Sequence, residues 1–314
     1  MNIFGNDTRI DFLGKRKIAT VFSATLIVIS LLALAVRGLA FGIDFTGGTL
    51  IEVGYPGAVE LGEVRDALSG AGYQDATAQH FGTSKDVLIR LAPREKEASA
   101  ELSSKVIQAL QGAHGAEEKL DLRRVEFVGP QVGDELTEDG GLAMLYALIG
   151  ILIYVAIRFE YRFALGAVAA LIHDVIITLG FFSVTQMEFD LTVMAAVLAV
   201  IGYSLNDTIV VFDRVRENFR KIRKGTPEEI TNASLNQTLS RTVMTSATTL
   251  VVLFALFVFG GEIIHAFATA LIVGIVIGTY SSIYVASAVV LAMGVSKEDL
   301  MPVKKEGEVA DDRP

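Results

Sequence analysis

Two stretches in the C-terminal third of the chain set the terms for everything else. Residues 242–261 are twenty positions without a charge, and residues 263–296 are thirty-four. A bilayer core about 30 Å thick is crossed by about 20 apolar residues in a helix, so both runs reach membrane-spanning length. The rest of the 314-residue chain agrees: it is 52% hydrophobic and 20% charged, with a mean hydropathy of +0.49. Soluble domains average about 45–50% apolar and about 25% charged. That balance excludes a soluble enzyme, a disordered chain and a nucleic-acid binder. The absence of Cys excludes disulfides, thiolate metal sites and cysteine nucleophiles.

Counting apolar runs predicts six transmembrane helices, at 18–36, 140–157, 163–187, 191–212, 241–261 and 263–293. The third holds one charge, Asp174, and the fourth holds one, Asp207. The first run has nineteen uncharged residues, longer than the 7–15 of a signal-peptide core, and reads as an uncleaved anchor. Lys15, Arg16, Lys17, Arg158, Arg162, the basic loop 213–240, and Lys297, Lys304, Lys305 and Arg313 all fall on one side of this arrangement. The opposite short loops carry no Lys or Arg. Positive charge stays inside, which puts the N-terminus 1–17 and the tail 294–314 in the cytoplasm.

The stretch 37–139, between the first two spans, is too polar for lipid and reads as one outside domain. Thr49, Ile51, Val53 and Tyr55 alternate as in a strand; Leu61, Val64 and Leu68 follow helical spacing. A weaker strand at 74–81 and a turn at 82–84 lead to alternating Val87, Ile89 and Leu91. Leu102, Val106 and Leu110 share a helical face, and Arg123, Val125 and Phe127 alternate again. The order β-α-β-β-α-β is the split βαβ, ferredoxin-like arrangement of an α+β domain.

Charges inside a span cost about 2.5–3.5 kcal/mol each and mark functional sites by default. Asp207 lies deep in the fourth span, Arg241 opens the fifth, and Asp174 sits mid-way along the third beside His173. One reading makes Asp207 a proton carrier whose ionisation follows the approach of Arg241. The other makes the two a static clamp between helices. Asp174 reads equally as a second relay site or as a hydrogen-bonding group in helix packing. Gly274 and Gly278 have the small-xxx-small spacing that admits a close helix neighbour. The histidines His80, His114, His173 and His265 form no ligand spacing, so no metal site is expected. No phosphate-cradling Gly-x-x-x-x-Gly-Lys-Ser/Thr occurs, which excludes nucleotide hydrolysis by this chain.

Four segments together resemble the SecF family. They are the FGIDFTGGT run at 41–49, VGPQVGDEL at 128–136, GYSLNDTIVVFDR at 202–214 and RTVMTS at 241–246. SecF proteins are the smaller membrane subunits of bacterial SecDF protein export, within the RND transporter superfamily. The resemblance implies a multi-pass protein of the bacterial inner membrane, not an enzyme, with a periplasmic domain. It implies SecD as heterodimer partner, association with the SecYEG channel, YajC and YidC, and contact with the translocating preprotein. Its implied work is to spend the proton motive force on late stages of preprotein movement. In that family the acid and the arginine matching Asp207 and Arg241 couple the ion, with Asn206 and Thr208 flanking the acid. No cofactor is implied beyond the transported proton, sodium being left open. The junction motifs hold Asp44, Gly47, Gly48, Gly129, Pro130 and Gly133. Glycines there permit backbone angles that set the exit from and re-entry into the bilayer. One reading makes them pass helix motion to the outside domain; the other makes them ordinary turns at the headgroup level.

Two rival classes fit the sequence less well. Half of an RND-type ion-coupled small-molecule efflux antiporter is disfavoured by the single six-span half and the single small outside domain. A passive assembly scaffold is disfavoured by Asp207 and Arg241, which a scaffold has little reason to keep. The net charge of −9 is also localised: residues 41–139 hold 18 acidic and 9 basic residues, and the remainder holds 18 of each. The acidity belongs to the outside domain, as a solvated face or as a steering surface for emerging preprotein.

Overall fold

The structure, a computed structural model, describes residues 9–93, 99–114, 119–222 and 224–295. The basic residues Arg223, Lys297, Lys304, Lys305 and Arg313, most of the tail 294–314 and the first eight residues lie outside that range. In chain order the elements begin with α1 (Arg16–Arg37), β1 (Ala40–Phe41), α2 (Ile43–Thr46), β2 (Gly48–Gly54) and α3 (Leu61–Gly70). Next come β3 (Thr77–Phe81), β4 (Thr83–Leu91), α4 (Ser99–His114), β5 (Asp121–Val128), α5 (Pro130–Arg158) and α6 (Tyr161–Thr185). The chain then forms β6 (Glu188–Phe189), α7 (Leu191–Lys221), α8 (Pro227–Phe259) and α9 (Glu262–Ser281). A single π turn, Ser282–Ala286, joins α9 to α10 (Ser287–Ala292) without breaking the rod.

Among the described residues, six helical rods are long and apolar enough to cross a bilayer. The protein is therefore a multi-pass membrane protein. α6 and α7 form its centre, while α1, α5 and α8 present most of their surface outward. Phe163, Phe212 and Phe219 fill the core at the end remote from the extramembrane domain; Phe45, Phe182 and Phe189 fill it near that domain. Close helix approach depends on glycine. Gly274 and Gly278 of α9 lie against Val200 and Ser204 of α7, and Gly180 of α6 lies against Ser30 of α1. This is the contact that the small-xxx-small spacing predicts.

The helices overrun the apolar lengths read from sequence. α5 begins ten residues before position 140, and α7 continues nine residues beyond position 212. Hydropathy measures what lipid requires, whereas a helix stops where its hydrogen bonding stops. For α8 that point is set by a capping box. Thr226 Oγ1 accepts from Glu229 N at 3.2 Å, and the Glu229 carboxylate accepts from Thr226 N at 2.8 Å, with Pro227 in the first turn. Most of the stretch 213–240 is thus helix, and Arg241 stands well inside α8 rather than at its start.

The extramembrane domain has one four-stranded sheet in the order β3-β4-β2-β5, with every neighbouring pair antiparallel. α3 and α4 cover one face. Val64 and Leu68, with Leu102, Val106 and Leu110, pack there on Ile51, Val53, Val87, Ile89 and Leu91. Burying each such side chain stabilises the domain by about 1.5–3 kcal/mol. β5 is an edge strand, and its Val125 and Phe127 stay partly outward.

Candidate functional site: two buried carboxylates and a junction

Asp174 on α6 is 1% exposed, and its carboxylate is fully partnered. Oδ2 accepts from Ser204 of α7 at 2.6 Å and from Ser281 of α9 at 2.7 Å, while Oδ1 lies 2.9 Å from His173 Nδ1. His173 Nε2 is 3.1 Å from Ser23 Oγ of α1, so four helices meet at this cluster. It lies beside the π turn of the last rod, and such turns concentrate at functional sites.

Asp207 on α7 is 3% exposed, one turn beyond Ser204, and is treated quite differently. Its Oδ2 makes no hydrogen bond, and neither do the buried hydroxyls of Thr208 beside it and Thr242 on α8. Arg241, next to Thr242, acts on Asp207 electrostatically, yet the two form no ion pair within 4.0 Å among the described residues. Arg241 and Asn206 are both exposed on the outer surface of α8 and α7. Unsatisfied buried polar groups are rare enough that each requires an explanation. An intramembrane cation turned outward requires one too, because such groups face protein or water rather than lipid.

The two glycine motifs sit against each other at the foot of the domain. A Cβ on Gly133 would lie 2.9 Å from Gly47 N and from the Phe45 carbonyl oxygen; one on Gly47 would lie 3.0 Å from Pro130 Cα. Gly47 and Gly48 have φ of +66° and +124°, angles that only glycine adopts freely. Gly129 caps α5 with extended backbone angles, and Pro130 supplies the first helical residue. Asp44 in α2 accepts from Leu191 N at 2.9 Å, holding the first turn of the helix that carries Asp207. β1 and β6 pair in parallel over two residues, tying the exit of α1 to the entry of α7. Arg90 of β4 donates to the Phe41 carbonyl at 2.7 Å and pairs with Glu188. Burial pushes the Glu188 carboxyl above its ordinary 4.5; Arg90 opposes the shift, and Asp190 and Asp44 add to it.

The structure therefore joins Asp44, Gly47, Pro130 and Gly133 in one junction, and sets Asp207, Thr208 and Arg241 on neighbouring helices. It holds Asp174 apart, in its own cluster. Sequence reasoning did not single out Ser23, Ser204, Thr242, Tyr280 or Ser281. The available signal was helical spacing: Ser204 and Asp207 are three apart, and Tyr280 and Ser281 lie beside Gly278.

A bundle of six candidate spans with an unpaired acid oxygen buried inside it, and an outside domain set on two facing glycine motifs, defines a multi-pass membrane protein with a polar site at membrane depth. The family model for the protein export membrane protein SecD/SecF, C-terminal, matches residues 107–296, and that for the SecD/SecF GG motif matches residues 32–55. The protein translocase subunit SecF of Vibrio alginolyticus is 56% identical over 97% of both chains. That of Pseudomonas aeruginosa is 52% identical over 97% of this chain and 98% of its own. SecDF of Thermus thermophilus, described as a translocon-associated membrane protein, superposes with a TM-score of 0.83 at 38% identity over 93% of this chain. This chain spans 39% of that longer one. SecDF in a super-membrane-facing form superposes at 0.68, also at 38% identity. The chain belongs to the SecD/SecF protein-export family, on the SecF side of it.

Proposed function

We propose that this chain pairs with SecD and couples ion flow through the membrane to late movement of preproteins across the bacterial inner membrane. The observation that carries this reading is the unsatisfied Asp207 carboxylate beside an outward-facing Arg241. A carboxylate that itself exchanges an ion with its surroundings must not be saturated by its own chain. An exposed guanidinium in a span must be covered by a partner or by water. SecD is the natural cover, as the second half of a repeat-built transporter with the ion path between the halves. Asp207 and Arg241 are the coupling pair, with Asn206 and Thr208 flanking the acid. Asp174 serves the same pathway from its separate cluster.

The split βαβ domain is read as ferredoxin-like and periplasmic, with both termini in the cytoplasm. SecYEG, YajC and YidC remain the associated partners, and the chain acts without enzymatic chemistry of its own. Asp44 and the facing glycine motifs give a direct route from the start of α7 to the domain. Proton is the leading ion. Sodium is the second reading, favoured by the all-oxygen character of the unpartnered set Asp207, Thr208 and Thr242, which suits a hard cation.

The test uses inverted membrane vesicles carrying the complete SecD complex, with export driven under a pure proton or a pure sodium gradient. Asp207→Asn should abolish the gradient-dependent part of export while SecD still co-purifies. Full gradient stimulation in that variant overturns the reading, and the ion that drives export decides between proton and sodium.

A further inference from the structure

Four polar contacts run in line through the packing of α6, α1 and α9. Asp174 Oδ1 is 2.9 Å from His173 Nδ1, and His173 Nε2 is 3.1 Å from Ser23 Oγ. Ser23 Oγ is 3.0 Å from the Tyr280 hydroxyl, which is 2.8 Å from the Ala19 carbonyl oxygen. Each hydroxyl owns one hydrogen, and a carbonyl only accepts. Tyr280 therefore donates to Ala19 and accepts from Ser23. Ser23, its hydrogen already used, accepts from His173 Nε2–H. At the other end, Ser204 and Ser281 both donate to Asp174 Oδ2, and donors of this kind favour a carboxylate. The hydrogen between Oδ1 and Nδ1 then belongs to the imidazole. All contacts are satisfied together only when the couple holds one proton more than a carboxylate beside a neutral imidazole. Without that proton one contact of the line is lost.

Charge balance leads to the same assignment by a separate route. The couple is almost completely buried, His173 at 3% and Asp174 at 1% exposure. α1 faces it with Ser23, and α7 with Ser204. α9 contributes Ser281 and Tyr280, whose ring stacks on the imidazole at 6.2 Å; Tyr284 follows one turn beyond. These neighbours bring no cation. A carboxylate beside a neutral imidazole would leave an uncompensated buried charge, whereas the couple with one more proton sums to zero.

We infer that the His173–Asp174 couple is a second proton-binding site, separate from Asp207, whose bound proton fastens α1 to α6 and α9. When the proton leaves the couple, the line through Ser23 and Tyr280 loses one hydrogen bond, which weakens the polar hold of α1 on α6 and α9 while the Tyr280–Ala19 contact remains. The inference does not rest on the role given to Asp207.

The complex of the full chain with SecD, labelled with ¹⁵N-histidine and placed in lipid bilayers, tests it by solid-state NMR. The difference spectrum against His173→Gln assigns the His173 resonances. At about pH 7 both ring nitrogens of His173 should resonate in the protonated range, the charge state being directly readable there. An unprotonated ring nitrogen at that pH overturns the inference. Ser23→Ala removes the acceptor of Nε2–H without touching the couple, and should shift the His173 Nε2 resonance. An unchanged His173 Nε2 resonance in that variant overturns the link to α1. Asp207→Asn should leave the His173 signals in place whether or not it abolishes export, so the two proposals fail separately. Loss of the protonated His173 signals in Asp207→Asn would overturn the independence of the second site.

Discussion

Asp174 and Asp207 are carboxylates of equal burial on adjacent helices, and they have opposite surroundings. Asp174 is engaged through both oxygens by groups on three helices. Asp207 has an oxygen with no hydrogen bond, and beside it stand two hydroxyls in the same condition. The cost of placing a charge in lipid selects both residues equally, so that cost alone does not assign a role. The number of partners does. A carboxylate wrapped in donors holds its helices together, while one left without them is free to exchange what it binds.

The contrast is broken most directly by the paired amides. Asp207→Asn should remove the whole gradient-dependent component of export and leave the thermal midpoint of the purified complex nearly unchanged. Asp174→Asn should do the reverse first, lowering that midpoint by the equivalent of about 1–3 kcal/mol, the cost of leaving buried polar groups unpaired. Equal midpoints for the two variants would erase the distinction. A smaller effect is expected at the junction, where Gly133→Ala sets a methyl against the Phe45 carbonyl and Gly47. Overpacking of that kind costs about 1–3 kcal/mol. Export driven by the gradient should fall while SecD binding persists; undiminished export would detach the junction from coupling.

The smallest effect is a dependence on pH at Glu188. An acid whose pKa is higher in the folded state supports the fold most at low pH, and that support is lost as pH rises through the folded value. The midpoint should therefore decline as pH climbs above the ordinary Glu value of 4.5, and Glu188→Gln should flatten that part of the profile. A profile of the same slope in the variant would remove Glu188 from the junction's balance.

Much of this organisation is legible in the sequence, for reasons that also explain the rest. The six rods follow from charge-free length. The sheet and its two helices follow from period-two and helical spacing in a half-buried domain. Helix ends were hidden because polar helix and polar loop look alike to hydropathy, although the Thr226 and Glu229 pair was a readable start signal for α8. The pairing of β1 with β6 covers two residues and has no periodicity to detect. Asp207, Arg241 and Asp174 stood out by their cost in lipid. Ser23, Ser204 and Ser281 did not, since a serine in a span is cheap and gains meaning only from what it touches. Which carboxylate was saturated was therefore invisible until three helices were placed around Asp174.

The 29 residues of α5 form one uninterrupted rod, and a single residue, Gly129, separates it from β5. At about 1.5 Å per residue the rod is about 43 Å long. A tilt of about 10° about its far end would carry the base of the sheet sideways by about 7 Å, a displacement comparable to two residues of extended chain. A rod of that length would turn a modest rocking of the bundle, where one occurs, into a stroke of polypeptide size at the domain.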